Sequence, residues 1–293
     1  MTPMDIAYYP GCSLHGIARE YGHSAALVCR RLGIRLVEIE DWNCCGATAA
    51  HSLDRELALG LSARNLSIVI RMNLDRVTTP CAGCFSRMKG CSHELSNSKE
   101  MREGMEKRIG APLAKLPEVS HLLQVMTESV GLKGLADAVS RPLKGLRLAA
   151  YYGCLLTRPR AIARFDDPEQ PSSMDRLLRV MGADTVLWSH KAECCGGAFA
   201  ASQTDIVVDL GGQVLEAARQ AGADALVVAC PMCQVNLDTR QQAIEEARSV
   251  RYNLPVIYFT QLMGMAYGFS SRQMGLDRML VSPLPLLRRA GLD

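Results

Sequence analysis

Short apolar runs and helix-period stretches alternate along this chain, and the whole alternation occurs twice. Ile6-Ala7-Tyr8-Tyr9 is uninterrupted by polar residues and stops at Pro10-Gly11, which predicts a buried strand closed by a turn. Residues 15–32 place Ala18, Tyr21, Ala25, Val28, Cys29 and Leu32 at helical spacing, with Gly33 as a C-terminal cap. Residues 34–39 then predict a second strand, 47–72 a mostly helical stretch weakened by Gly60, 76–79 a third strand, 86–108 a polar helix and 119–126 a last apolar segment. From residue 146 the plan returns: strands at 146–152, 185–188, 225–229 and 256–259, helices at 174–181, 198–221 and 234–248. Leu123-Gln124-Val125-Met126 and Thr260-Gln261-Leu262-Met263 close the halves alike. A repeat of roughly 140 residues is domain-sized rather than a solenoid unit.

Strand–helix alternation predicts an α/β fold in which each half is a small, mostly parallel sheet flanked by helices. The joint falls near Ser140-Arg141-Pro142, giving a first domain at 1–141 and a second at 142–276. The tail, 277–293, carries enough apolar residues to pack on the second domain or on a partner subunit. Residues 166–173, rich in proline and acidic groups, predict a surface loop inserted in the second half.

Cysteine usage changes the picture. Ten of the 12 cysteines form two matching sets. Cys12, Cys44, Cys45, Cys81 and Cys84 give C-x31-CC-x35-C-x2-C, and Cys154, Cys194, Cys195, Cys230 and Cys233 give C-x39-CC-x34-C-x2-C. The insertion accounts for the longer first spacer. Several of these residues lie at or just beyond predicted strand ends, the rim where open α/β sheets carry functional groups. No basic segment precedes an apolar run at the N-terminus, so the expectation is a cytoplasmic protein, where structural disulfides are rare and clustered thiols hold metal. Cys29, on a helix face with Ala25 and Leu32, and Cys91 read instead as small buried hydrophobes. The charge of +3 from 33 basic and 30 acidic residues, without a basic block, argues against a nucleic-acid partner. The longest apolar-leaning run, about residues 257–269, is too short to span a bilayer.

Zinc prefers two close cysteine pairs, and only Cys81/Cys84 and Cys230/Cys233 supply them. Adjacent cysteines suit a multi-iron cluster better than one tetrahedral ion, and five thiolates exceed the four that a cubane needs. Spacing therefore favours iron–sulfur, with zinc as the alternative.

The segments Tyr8-Tyr9-Pro10-Gly11-Cys12-Ser13-Leu14-His15-Gly16, Glu40-Asp41-Trp42-Asn43-Cys44-Cys45-Gly46-Ala47-Thr48, Tyr151-Tyr152-Gly153-Cys154 with Arg158-Pro159, and Cys194-Cys195-Gly196-Gly197 resemble the B subunit of heterodisulfide reductase. Both cysteine sets resemble that family's CCG motif, although the x34 spacer is one residue short. The resemblance spans nearly the whole chain. It implies two tandem CCG domains related by pseudo-two-fold symmetry, each holding a noncubane [4Fe-4S] cluster through its five cysteines, with zinc in one site in some relatives. It further implies a disulfide or thiol substrate handled between the clusters. Electrons would arrive from a ferredoxin-like C subunit carrying [4Fe-4S] clusters and, upstream, a flavin-containing A subunit. Related chains serve sulfur-oxidising, lactate or glycolate oxidase and succinate dehydrogenase assemblies as electron-transfer subunits, and a structural zinc scaffold is the remaining alternative. This chain itself shows no flavin or dinucleotide fingerprint and no Ser-His-Asp pattern.

Smaller candidates flank the cysteines. His51, six residues after Cys45, is placed to donate a proton to a nascent thiolate, although a surface or capping histidine is the plainer reading. His15 and His190 also lie near cysteine-bearing segments. Lys191 reads as solvated rather than as a substrate contact. Pro159 reads as a helix start at N1, and Trp42 and Trp188 as core packing.

Overall fold

The computed structural model describes residues 4–47 and 50–293. Eight strands form two four-stranded, wholly parallel sheets of identical order. In the first half β1 (Met4–Tyr8), β2 (Ile34–Glu38), β3 (Arg76–Thr79) and β4 (Glu118–His121) lie in the order β2-β1-β3-β4. In the second, β5 (Arg147–Tyr151), β6 (Asp184–Thr185), β7 (Ala225–Val228) and β8 (Val256–Tyr258) repeat it as β6-β5-β7-β8. Because every strand runs the same way, the residues that follow β1, β2 and β3, and their counterparts after β5, β6 and β7, emerge at one edge of each sheet. That edge is the switch point where open α/β sheets bind ligands. The strands are buried by helices on their faces, β7 over all four residues.

The halves join reciprocally. Helix Arg19–Arg31 of the first packs on helix Phe259–Ala266, which follows β8. Helix Ser173–Val180 of the second packs against the helical run after β4, Leu122–Gln124 and Leu132–Asp137. Such an exchange is what pseudo-two-fold symmetry requires. At the first contact Tyr21 stacks on Tyr258 with ring centroids 4.0 Å apart, and Ser24 Oγ meets Thr260 Oγ1 at 2.7 Å. One continuous apolar core runs through both halves.

Several predicted elements are broken where a side chain offers the backbone a better partner. The stretch 47–72 is two helices, Ala50–Leu53 and Arg55–Arg71, because Asp54 accepts from the backbone N–H of Glu56 and Leu57 as an N-cap; Thr48 and Ala49 lie outside the described residues. Gly60 interrupts neither helix. Ser98 divides the polar helix into Ala82–Asn97 and Lys99–Ile109 in the same way, accepting from Met101 N–H. The first long helix is divided at residues 16–18 into Gly11–His15 and Arg19–Arg31. The strand expected at 185–188 shrinks to Asp184–Thr185: Leu187 is 86% exposed and Trp188 turns its indole N–H to the Ala150 carbonyl instead. Residues 198–221 open as a short 3-10 turn before helix Thr204–Gln220. Residues 234–248 contain a π-helical turn, Val235–Thr239, between helices Pro231–Gln234 and Gln241–Arg248.

The tail folds back onto this chain. Leu280 and Val281 N–H groups donate to the Asp238 carboxylate, Gln234 Nε2 reaches Met279 Sδ, and Leu286, Leu287 and Leu292 are buried.

Candidate metal centres

Each cysteine set is assembled by the same local devices. Gly11 and Gly153 take left-handed φ values of +72° and +67°, the turn that brings Cys12 and Cys154 off β1 and β5. A Cβ on either would stand 3.0 Å from Cys84 Sγ or 3.1 Å from Cys233 Sγ, so glycine is required where backbone passes the last thiol. Two residues earlier, Tyr9 donates its hydroxyl to the Asn43 carbonyl at 2.8 Å, and Tyr151 donates to the Glu193 carbonyl at 2.7 Å. Both carbonyls belong to the residue just before a cysteine pair, so one tyrosine ties the strand end to the pair in each half. After the pair, Gly46 and Gly196 both have φ +76° and turn their N–H onto Cys44 Sγ at 3.4 Å and Cys194 Sγ at 3.3 Å. Cys81 and Cys230 occupy N-cap positions, so each C-x-x-C spans the first turn of a helix and its Cys84 or Cys233 lies inside it.

The thiols converge pairwise. Sγ–Sγ distances are 3.3 Å for Cys45–Cys84, 3.7 Å for Cys154–Cys194 and 3.5 Å for Cys195–Cys233. Across the junction Cys81, held well above the ordinary thiol value, and Cys230, held well below it, perturb each other's ionisation. Three members of each set are buried, Cys45, Cys81 and Cys84 matching Cys195, Cys230 and Cys233; Cys12 and Cys44 are exposed, Cys154 and Cys194 half-buried. Cys29 and Cys91 lie elsewhere in the core, their thiols each pushed up to about 12 by burial.

Crowded thiols cannot all ionise. Hydrogen bonding with Cys44 and Cys84 pulls Cys45 down to about 3, and hydrogen bonding with Cys154 pulls Cys194 down to about 6. Cys44, Cys84, Cys154 and Cys233 are held up, first of all by hydrogen bonding with a neighbouring cysteine sulfur. Multiply charged metal would relieve that frustration by deprotonating every ligand. Among the described residues no group of three or more His, Cys, Asp or Glu side chains has the geometry to hold a single ion. Ten soft donors gathered at two sheet edges, six of them in sulfur–sulfur contact, with backbone glycines passing close by, fit an extended sulfur-ligated centre better than one tetrahedral ion.

Beside the second set lies a mostly apolar cavity of about 190 Å³ with walls from both halves. The second half contributes Cys154, Cys194, Cys195, Cys230 and Cys233 with Tyr152, Leu155 and Met232; the first contributes Ala82, Gly83, His51 and Arg87. His51 is thus brought to the cavity from the exposed helix Ala50–Leu53. Arg87 was not legible as a site residue: it sits one turn after Cys84 in an ordinary polar helix. His15 instead pairs with Glu38 at the surface, 3.1 Å away, and His190 bonds Ser189. Arg158 does not line the cavity; it braces the insertion loop through the Pro168 and Ala192 carbonyls. Pro159 is the N-cap of helix Arg160–Ala163 rather than its first residue.

Lys191 is not solvated. It is buried, 2.9 Å from the Asp175 carboxylate and 2.9 Å from the Pro171 carbonyl, over the Tyr152 ring. Its own carbonyl receives the N–H groups of Tyr152 and Gly153. The ion pair therefore anchors the loop leading to Cys194. In the first half, Asn65 does the corresponding work, exchanging two hydrogen bonds with the Asn43 backbone at 3.0 and 2.9 Å.

At the junction the buried His121 donates from Nε2 to the Ala229 carbonyl at 3.0 Å and accepts the Leu123 N–H at Nδ1, also at 3.0 Å, which fixes a neutral tautomer. Desolvation pulls its pKa down to about 4. Trp42 contacts Tyr9 and His15 edge-on and is only partly buried.

Known proteins match this chain along its length. Residues 6–89 and 148–238 match the cysteine-rich CCG domain family. The chain is 30% identical to the 8-methylmenaquinol:fumarate reductase membrane anchor subunit of Wolinella succinogenes, over 96% of this chain and 99% of that one. It is 29% identical to the B subunit of the ferredoxin:CoB-CoM heterodisulfide reductase of Methanosarcina mazei, over 97% and 96%. A crystal structure of a hypothetical protein from Helicobacter pylori shares the fold, with a TM-score of 0.77 at 13% identity over 96% of this chain; the chain spans about half of that one, 53%. With the CCG match in both halves and relatives along its full length, the chain belongs to the family of tandem CCG-domain proteins that includes the B subunits of heterodisulfide reductases.

Proposed function

We propose that this chain is the iron–sulfur catalytic subunit of a heterodisulfide-reductase-type complex, reducing or forming a disulfide in the cavity where its two halves meet. One observation carries the reading: both sets are gathered at sheet edges, and a single cavity lined by all five cysteines of the second set is closed by Ala82 and Gly83, which lie between Cys81 and Cys84 of the first. Cys12, Cys44, Cys45, Cys81 and Cys84 would hold one noncubane [4Fe-4S] cluster, and Cys154, Cys194, Cys195, Cys230 and Cys233 the other. When bound, such centres supply electrons one at a time beside a soft site for sulfur.

The chain's own residues bind, orient and protonate. Reduction of R–S–S–R′ consumes two electrons and two protons and yields two thiols. The apolar wall of Tyr152, Leu155 and Met232 excludes water from the substrate sulfurs. His51 delivers one proton to a departing thiolate, and solvent at the mouth delivers the second. Arg87, which makes no ion pair among the described residues, favours a substrate with an anionic end. Electrons come from a ferredoxin-like C subunit carrying [4Fe-4S] clusters, fed by a flavin-containing A subunit. No described helix is long and apolar enough to cross a membrane, and we place the chain as a peripheral, cytoplasmic subunit.

The Wolinella relative supports a second reading, an electron-transfer subunit of a quinol-linked oxidoreductase. Anaerobically purified protein distinguishes them. Disulfide-dependent oxidation of reduced methyl viologen, with iron and acid-labile sulfide in near-equal amounts, is the expected result. Iron and sulfide without disulfide turnover, together with oxidation of menaquinol, favours the relay. Zinc without iron overturns both.

A further inference from the structure

We propose that His121, assisted by Tyr21, is a positioning residue that holds Cys230 against Cys81 and so sets the separation of the two thiol sets. Cys81 and Cys230 cap the helices that follow β3 and β7, so they stand at the ends of different sheets, 149 residues apart in sequence. Something must register one sheet end against the other. The Ala229 carbonyl immediately before Cys230 does so, because both its donors come from the first half: His121 Nε2 at 3.0 Å and the Tyr21 hydroxyl at 3.3 Å. A carbonyl has two lone pairs, and these bonds fill both. His121 in turn is held by Leu123 N–H and by the edge of the Phe85 ring, 6.0 Å between centroids, and its backbone is paired in the sheet with Thr79, two residues before Cys81. One residue therefore ties the strand end that leads to Cys81 to the carbonyl that precedes Cys230.

The duplicated half does not share the device. In sheet register His121 is paired with Thr79 as Tyr258 is with Val228, so the two end equivalent edge strands. Tyr258 points its hydroxyl toward Gln234 within its own half and lends the junction only its ring, stacked on Tyr21. The registering bonds thus run one way, from the first half to the second.

The readout in loaded protein rests on the iron–sulfur reading, so a second measurement is independent of it. His121→Phe keeps a ring against Phe85 and removes both hydrogen bonds; His121→Gln restores a donor; Tyr21→Phe removes one bond and keeps the stack. In iron-loaded full-length protein, His121→Phe is expected to retain wild-type iron, change the EPR spectrum of the reduced protein and lower kcat about tenfold at unchanged KM, one buried hydrogen bond's worth. His121→Gln recovers most of that, and Tyr21→Phe shifts the spectrum in the same direction by less. In metal-free protein, oxidation by diamide, which takes the two thiol hydrogens, should give a Cys81–Cys230 cross-linked peptide in wild type and about tenfold less in His121→Phe. Wild-type spectrum and kcat in loaded His121→Phe, or equal cross-linking in both metal-free proteins, overturns the proposal. Wild-type protein that binds no iron but shows the cross-linking difference overturns the cluster reading and leaves the positioning role standing.

Discussion

The two halves share strand order, glycine turns and tyrosine ties, yet their cysteine loops are secured by different chemistry. The first loop rests on amide groups: Asn65 and Asn43 exchange hydrogen bonds, and Asn43 Nδ2 reaches the Leu61 carbonyl at 3.0 Å. The second rests on the buried Lys191–Asp175 pair, whose carboxylate also accepts the Tyr152 hydroxyl at 2.7 Å. Exposure differs as well. Cys12 and Cys44 face solvent, whereas all five sulfurs of the second set border the cavity. Duplication conserved the frame that delivers ten thiols; the supports behind them diverged, and with them what each set faces.

The largest effect comes from removing one buried thiol per set. Cys45→Ala and Cys195→Ala should each lose about half of the bound iron and abolish disulfide turnover, since an iron–sulfur centre loses its hold with a thiolate ligand. Iron analysis and activity on anaerobic preparations check this. If either variant lost all of its iron, the sets would be one assembly rather than two.

Next is the ion pair. Lys191→Met leaves the Asp175 carboxylate buried and unpaired, which costs on the order of 3–5 kcal/mol. Asn65→Ala, losing neutral hydrogen bonds in the first half, should cost about 1–3 kcal/mol. Urea unfolding of the two variants measures the contrast, and equal losses would remove the distinction drawn between the loops.

A pH dependence separates β4 from β8. His121 is held at about 4 in the folded chain against an ordinary value of 6.5. Between those values the unfolded chain binds the extra proton, so stability falls as pH drops through 6.5 and levels off near 4. The loss is about 3 kcal/mol for a shift of that size. His121→Gln, with nothing to titrate there, should flatten that part of the curve, whereas Tyr258→Phe should leave it unchanged.

The cysteine sets were legible because their information is one-dimensional: spacing and the adjacent pair survive without coordinates. The parallel sheets followed from alternation of period two and period 3.6. What was hidden depends on neighbours distant in sequence. Lys191 follows His190 in a polar stretch and looks solvated until Asp175, 16 residues away, is folded beneath it. His121 gains its role from Ala229, 108 residues on. Helix breaks at Asp54 and Ser98 were readable in principle, since both are good N-cap residues inside otherwise helical runs. The short β6 was not readable: Val186 and Leu187 favour a strand, and only the diversion of Trp188 to the Ala150 carbonyl ends it.

The smallest effect should come from the two cysteines outside the sets. Cys29 is buried with its thiol pushed up to about 12, and Cys91 donates weakly to the Leu59 carbonyl at 3.6 Å. Both are therefore neutral, unreactive and committed to packing. Cys29→Ala removes one sulfur from the core at a cost of about 1 kcal/mol, and Cys91→Ala should behave alike. Iron content and turnover should stay at wild-type levels in both, in contrast to Cys45→Ala. Urea unfolding together with iron analysis on the same preparations checks the pair. A drop in iron for Cys29→Ala would mean that burial alone does not separate structural thiols from ligands in this fold.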